Sequence, residues 1–209
     1  NLDNGIPICI INTGSQELVK VQISFPAGTI YQNNALTAFF TNKLLAEGSK
    51  KFSAATIAEK MDFYGAFIDT KISRDQAYVN IFSLNKHLND VLEVVADLLL
   101  NPSMPQNELD TLIEQEKHNF SIKMQKVKTI AQREFNTQLF GSKHPYGTMS
   151  SLSDYGYVEM DGLKSFFNQN YQQKDWQIFV SGKVEKETLE ILNQHFGINR
   201  YGYKLEKPI

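Results

Sequence analysis

Hydrophobic periodicity along this chain changes in an order that excludes most architectures. Period two runs through residues 6–12 and again through 18–25, where Val19, Val21, Ile23 and Phe25 alternate with Lys20, Gln22 and Ser24. The turn cluster Asn12-Thr13-Gly14-Ser15 lies between them, so the two runs read as a half-buried antiparallel pair. A helical period follows over residues 33–47, with Leu36, Phe39, Phe40 and Leu44 on one side and Gly48 as the stop. Ser53 caps a second helix that carries Ile57, Met61 and Tyr64 and ends at Gly65. Period two returns over 66–73 and 76–83 about the tight Arg74-Asp75 turn, which predicts a hairpin. Helices are then predicted over 88–100, 105–124, 129–140, 162–170 and 185–196, interrupted by a loop over 141–156 and a last strand over 176–182. A parallel α/β fold needs regular alternation of strand and helix, and this order lacks it. The pattern predicts an α+β fold with a mainly antiparallel sheet and helices packed on one face.

The 209 residues are enough for a sizeable core, and residues 1–196 read as a single domain. The tail over 197–209, with two glycines and four charges, reads as a linker toward a second domain. Lys+Arg 21 against Asp+Glu 23 gives a charge of −2, which argues against a nucleic-acid surface. No apolar run approaches the ~20 residues that a membrane-spanning helix needs. The single cysteine, Cys9, excludes an internal disulfide and reads as a buried inert thiol within an apolar strand. The compartment stays open between cytoplasm and a bacterial envelope, because the chain starts at Asn1 with no Met and one cysteine does not report redox state.

Signatures of nucleotide binding and of serine hydrolysis are missing: there is no G-x-G pair, no G-x-x-x-x-G-K-[ST] and no G-x-S-x-G. His87, His118, His144 and His195 are 31, 26 and 51 residues apart, so no helical turn presents two imidazoles to one metal. Glu114 and His118 lie four apart on the long helix, and the ordinary reading is an exposed surface pair. Glu114, Glu116 and His118 crowd one helix and are unable to surround an ion.

Several short motifs keep a shared order and spacing. They are Phe25-Pro26-Ala27-Gly28-Thr29, Glu47-Gly48-Ser49-Lys50-Lys51, Ser73-Arg74-Asp75, an Asn101-Pro102 helix end, His144-Pro145-Tyr146-Gly147, and Tyr171 before Val180-Ser181-Gly182. In this the chain resembles the insulinase or pitrilysin-like M16 peptidases, a family that includes mitochondrial processing peptidase. The resemblance implies a zinc motif H-x-x-E-H on the first helix and a further Glu about 76 residues on. Counted without gaps from Gly48, the motif falls on Phe39, Asn42 and Lys43. The third ligand then falls on Asn119, and an auxiliary carboxylate on Leu112.

None of these side chains suits zinc. Phe39 has no lone pair, Lys43 is a cation, and the Asn119 amide is a weak donor. Asn42 is unable to take a proton from water, so the general base goes with the metal. Lys43 and Asn119 are expected to meet across two helices. The resemblance therefore implies a catalytically inactive subunit or domain with no cofactor, beside a zinc-bearing M16 homologue or a second M16-like domain. The alternative is a structural assembly subunit like the respiratory-complex core proteins. It also implies that extended peptides add to the strand Ala66, Phe67, Ile68, Asp69, Thr70, Lys71. There Phe67, Asp69 and Lys71 share one side, and Ala66, Ile68 and Thr70 the other.

Overall fold

A computed structural model describes residues 1–172 and 175–198. Five strands form one sheet: β1 (Ile8–Asn12), β2 (Leu18–Phe25), β3 (Phe67–Ile72), β4 (Ala77–Leu84) and β5 (Gln177–Gly182), in the order β1-β5-β2-β4-β3. The helices are α1 (Thr37–Leu44), α2 (Ala54–Tyr64), α3 (Leu88–Leu100), α4 (Gln106–Lys123), α5 (Val127–Phe140), α6 (Met160–Asn170) and α7 (Lys186–Leu192). A π turn, Asn193–Gly197, continues α7 to the end of the helix expected over 185–196. Of the expected tail over 197–209, residues 199–209 lie outside the described residues.

The period-two pattern finds its core where expected. Val19, Val21, Ile23 and Phe25 of β2 face Val79 and Ile81 of β4 and Ile178 and Val180 of β5, all buried under the helices. Each such side chain removes apolar surface worth about 1.5–3 kcal/mol. Val91, Leu92, Val95, Leu98 and Leu99 of α3 supply the largest helical share of that core. The other sheet face, with Lys20, Gln22, Tyr78 and Phe82, is only half covered.

Two expectations need correction. Residues 6–12 and 18–25 do not pair with each other; β5 lies between them, parallel to β1 and antiparallel to β2. Alternation tells which face of a strand is buried but not which strand sits beside it, and here the neighbour arrives about 170 residues later in the chain. The sheet is therefore mixed, with three of its four pairings antiparallel. As a consequence Cys9, expected to be buried, is exposed: β1 is an edge strand and Cys9 points away from the helices.

Local signals behave as their chemistry dictates. The Ser53 hydroxyl accepts from the Thr56 N–H at the start of α2, and Gly65 ends that helix with φ +58°. The first helix begins later than periodicity suggests. Leu36 takes a left-handed φ of +68° and delays α1 to Thr37.

Candidate functional site

The site is built on α1, which packs against β3, β4, α4 and α6. Asn42 is 2% exposed. Its Nδ2 donates to the Lys71 carbonyl at 2.8 Å, and its Oδ1 accepts from the Tyr171 hydroxyl at 3.1 Å. Both ends of the amide are thus occupied in a dry setting, tying α1 to β3 and to the end of α6. Burial holds the Tyr171 hydroxyl well above its ordinary pKa, so it stays a donor. A carboxylate at position 42 would meet the Lys71 carbonyl without the proton that now bridges them.

The neighbouring positions are equally unsuited to a metal. Phe39 is half buried and stands edge-on to Phe40, with ring centres 5.2 Å apart. Lys43, one turn on, occupies the carboxyl-terminal turn of α1, where a cation suits the helix dipole. It lies near Glu47, whose carboxyl is raised by burial and by Glu108 and lowered by Lys43. Leu112 packs against the core. Asn119 is exposed, and its Nδ2 donates to Glu116 Oε1 at 3.3 Å on its own helix. The hydrogen bond expected between Lys43 and Asn119 is not made among the described residues. Glu114 pairs with Lys117 at 2.9 Å instead of joining His118. Among the described residues no group of three or more His, Cys, Asp or Glu is placed to hold a metal ion. Zinc does not fit this site.

Beside α1 runs β3, the edge of the sheet opposite β1. Among the described residues it pairs with β4 alone, in a register that matches Phe67 with Phe82 and Ile72 with Ala77. The pair Ser73–Gln76 next to the turn is hydrogen bonded through the Ser73 N–H. Alternation along an antiparallel ladder then turns the backbone groups of Ile68, Thr70 and Ile72 outward. Phe67, Asp69 and Lys71 share the helix-free side, where Lys71 and Asp69 form an ion pair at 3.1 Å. Ile68 and Ile72 pack toward the core. Ala66 precedes the strand, its N–H donating to the Met61 carbonyl.

Sequence reasoning found the short motifs without seeing that three of them meet. The backbone N–H groups of Gly28, Thr29 and Ile30 donate to the carbonyls of Asp75, Ser73 and Arg74 at 3.3, 3.2 and 2.9 Å. A Cβ on Gly28 would lie 2.3 Å from the Arg74 carbonyl oxygen, which accounts for the glycine. The Tyr146 hydroxyl donates to Asp75 Oδ1 at 2.5 Å, and that bond raises its pKa. The Asp75 carboxylate and the Pro-Tyr pair are 71 residues apart, and only the structure joins them.

Comparisons with known proteins agree with this architecture. The sequence profile of the insulinase family, peptidase family M16, matches residues 8–142. The β subunit of mitochondrial-processing peptidase is 24% identical over 215 residues in Rattus norvegicus, covering 99% of this chain and 43% of the relative. Subunit 1 of the mitochondrial cytochrome b-c1 complex from Caenorhabditis elegans is 25% identical over 112 residues, 53% of this chain and 24% of the relative. Among solved structures, a peptidase M16 inactive domain from Pseudomonas fluorescens superposes with a TM-score of 0.82 at 21% identity, covering 99% of this chain and 52% of the other. The periplasmic protease PqqL from Escherichia coli gives 0.85 at 15% identity, with 100% and 25% covered.

The fold is an α+β, peptidase-type domain with a mixed sheet, and among its described residues no cluster of side chains is placed to hold a metal ion. The chain belongs to the insulinase family, M16. It spans less than half the length of the mitochondrial-processing peptidase subunits it matches. Among the described residues no helix is long and apolar enough to cross a membrane.

Proposed function

We propose that this chain is the non-catalytic wall of a larger M16 assembly, holding extended peptides while a zinc-bearing M16 homologue or a second M16-like domain cleaves them. The observation that carries this reading is the free edge of β3. Its outward N–H and C=O groups at Ile68, Thr70 and Ile72 run alongside α1, the helix on which the family's zinc motif would stand. Strand addition uses main-chain groups, so it survives the loss of every catalytic side chain. Ala66, Phe67, Ile68, Asp69, Thr70 and Lys71 are the proposed peptide contacts, and the Lys71–Asp69 pair and Phe67 give the edge a mixed, partly apolar rim.

The test measures binding of an uncharged extended peptide to the full chain, with and without a zinc-bearing M16 homologue expressed beside it. Binding to the chain alone, with cleavage confined to the mixture, is the expected result. Elemental analysis after equilibration with zinc is expected to show no stoichiometric metal on this chain. The likeness to subunit 1 of the cytochrome b-c1 complex favours a second reading, a structural assembly subunit. Stable co-purification with a partner but no peptide binding would select that reading instead.

A further inference from the structure

At the turn end of β3 lies a cleft of about 260 Å³, between the start of α1 and the loop after α5. Its walls include Thr29, Phe39, Arg74, Lys143, Thr148 and Ser150, and among the described residues no Asp or Glu lines it. Both cations lack an acidic partner: neither Arg74 nor Lys143 forms an ion pair among the described residues. The half-buried Arg74 guanidinium reaches only a carbonyl and a thioether, with Nη1 at 3.4 Å from the Pro145 oxygen and Nη2 at 3.8 Å from Met149 Sδ. Both contacts are at the long limit of a hydrogen bond. The nearest carboxylate on the same turn, Asp75, is occupied by the Tyr146 hydroxyl. A guanidinium with unspent donors and a second cation around one concavity form the donor set that a carboxylate satisfies in a forked geometry.

The geometry points to this cleft as a binding site for a carboxylate of an extended peptide, with Arg74 as the principal donor. The assignment of the carboxylate to a peptide rests on the reading of β3, because Arg74 stands two residues beyond the end of the edge strand. A chain added along Ile68–Ile72 would deliver its next residue toward the guanidinium. Phe39 forms the apolar floor at the position where the family motif would begin. A cationic, water-accessible pocket thus stands beside the helix that no longer holds a metal. The carboxylate can come from an Asp or Glu side chain or from a chain terminus, and the two sources share the same recognition chemistry.

The experiment titrates the full chain with three capped amino acids and follows the Thr29 amide and the Arg74 Nε–H by NMR. Acetyl-glutamate amide carries only a side-chain carboxylate, acetyl-alanine only a terminal one, and acetyl-glutamine amide neither. Saturable shifts with one or both acids and none with the glutamine compound are expected, and the tighter acid identifies the source. Arg74→Gln should weaken binding roughly tenfold or more, the usual scale for a lost charge-assisted hydrogen bond. Arg74→Lys should retain part of the affinity, and Lys143→Gln should weaken it less than Arg74→Gln does. Equal shifts from the glutamine compound, no saturable shift from either acid, or full binding by a folded Arg74→Gln variant would each overturn the proposal. A capped amino acid is too short to add as a strand. Its binding therefore stands or falls separately from peptide addition to β3.

Discussion

Two regions lie side by side in this molecule and use their polar groups in opposite ways. On α1, Asn42 commits both ends of its amide, to Lys71 and to Tyr171, in a buried setting. On β3, which Asn42 touches through the Lys71 carbonyl, alternate backbone groups remain unspent at the sheet edge among the described residues. The first region has exchanged chemistry for cohesion, since a buried amide with both ends satisfied holds three elements together. The second needs no special side chain and so does not depend on whether α1 carries metal ligands. Degeneration of a hydrolytic site therefore does not entail loss of recognition when the two rest on different atoms.

Substitution at position 42 should have the largest effect. Asn42→Glu, which restores the family's acid, places a charge in a dry site opposite a carbonyl, and should cost about 3 kcal/mol or more. Asn42→Leu leaves the Tyr171 hydroxyl and the Lys71 carbonyl without this partner and should cost about 2 kcal/mol. Urea unfolding of the two variants checks both the order and the size. Equal stability to the parent chain would show that Asn42 does not hold these elements together.

A fixed corner where the end of α3 meets the loop after α1 makes a pH-dependent comparison. Asp97 is 6% exposed and accepts from the Lys51 N–H and the Asn101 side chain, each at 3.0 Å. Burial pushes its carboxyl up, but hydrogen bonds from Ser49, Lys51 and Asn101 outweigh that and leave its pKa lowered. A carboxyl depressed in the folded state adds stability in full above its unfolded pKa of ~3.9, and loses it as pH falls through the folded value. Asp97→Asn should cost about 1–2 kcal/mol at neutral pH, and the gap to the parent chain should close below about pH 4. Thermal unfolding across that range reads the effect, and a gap that stays constant with pH would contradict it.

The edge strand should tolerate what α1 does not. Thr70→Pro removes one outward N–H and no ladder bond, so stability should fall by about 1 kcal/mol or less while binding of an extended peptide is lost. Unchanged binding would break the contrast between the two regions. The smallest expected effect is at the exposed Lys71–Asp69 pair. Asp69→Ala should change stability by under about 1 kcal/mol and leave strand addition intact.

The sequence made the outline of this contrast readable, and physical reasons set the limit. The Arg74-Asp75 hairpin, the Ser53 cap and the Gly65 stop are local, and each formed where its residues required. That Phe39, Asn42 and Lys43 are unable to hold zinc was also legible, because ligand ability belongs to a side chain's own atoms. What a replaced residue does instead was not. Asn42 needs Lys71 and Tyr171, which are 29 and 129 residues away. The insertion of β5 beside β1, the exposure of Cys9 and the meeting of Gly28 with Arg74 and Asp75 are likewise long-range outcomes of packing. A left-handed Leu36 carries no sequence signal at all, since leucine rarely adopts that conformation.

The most direct test of the central claim is amide hydrogen exchange of the full chain with and without an uncharged extended peptide. Slowed exchange is expected at Ile68, Thr70 and Ile72, where the free N–H groups point outward, with little change at Phe67, Asp69 and Lys71, which are already paired with β4. Protection that skips β3, or that falls on the alternate set of residues, would contradict the claim.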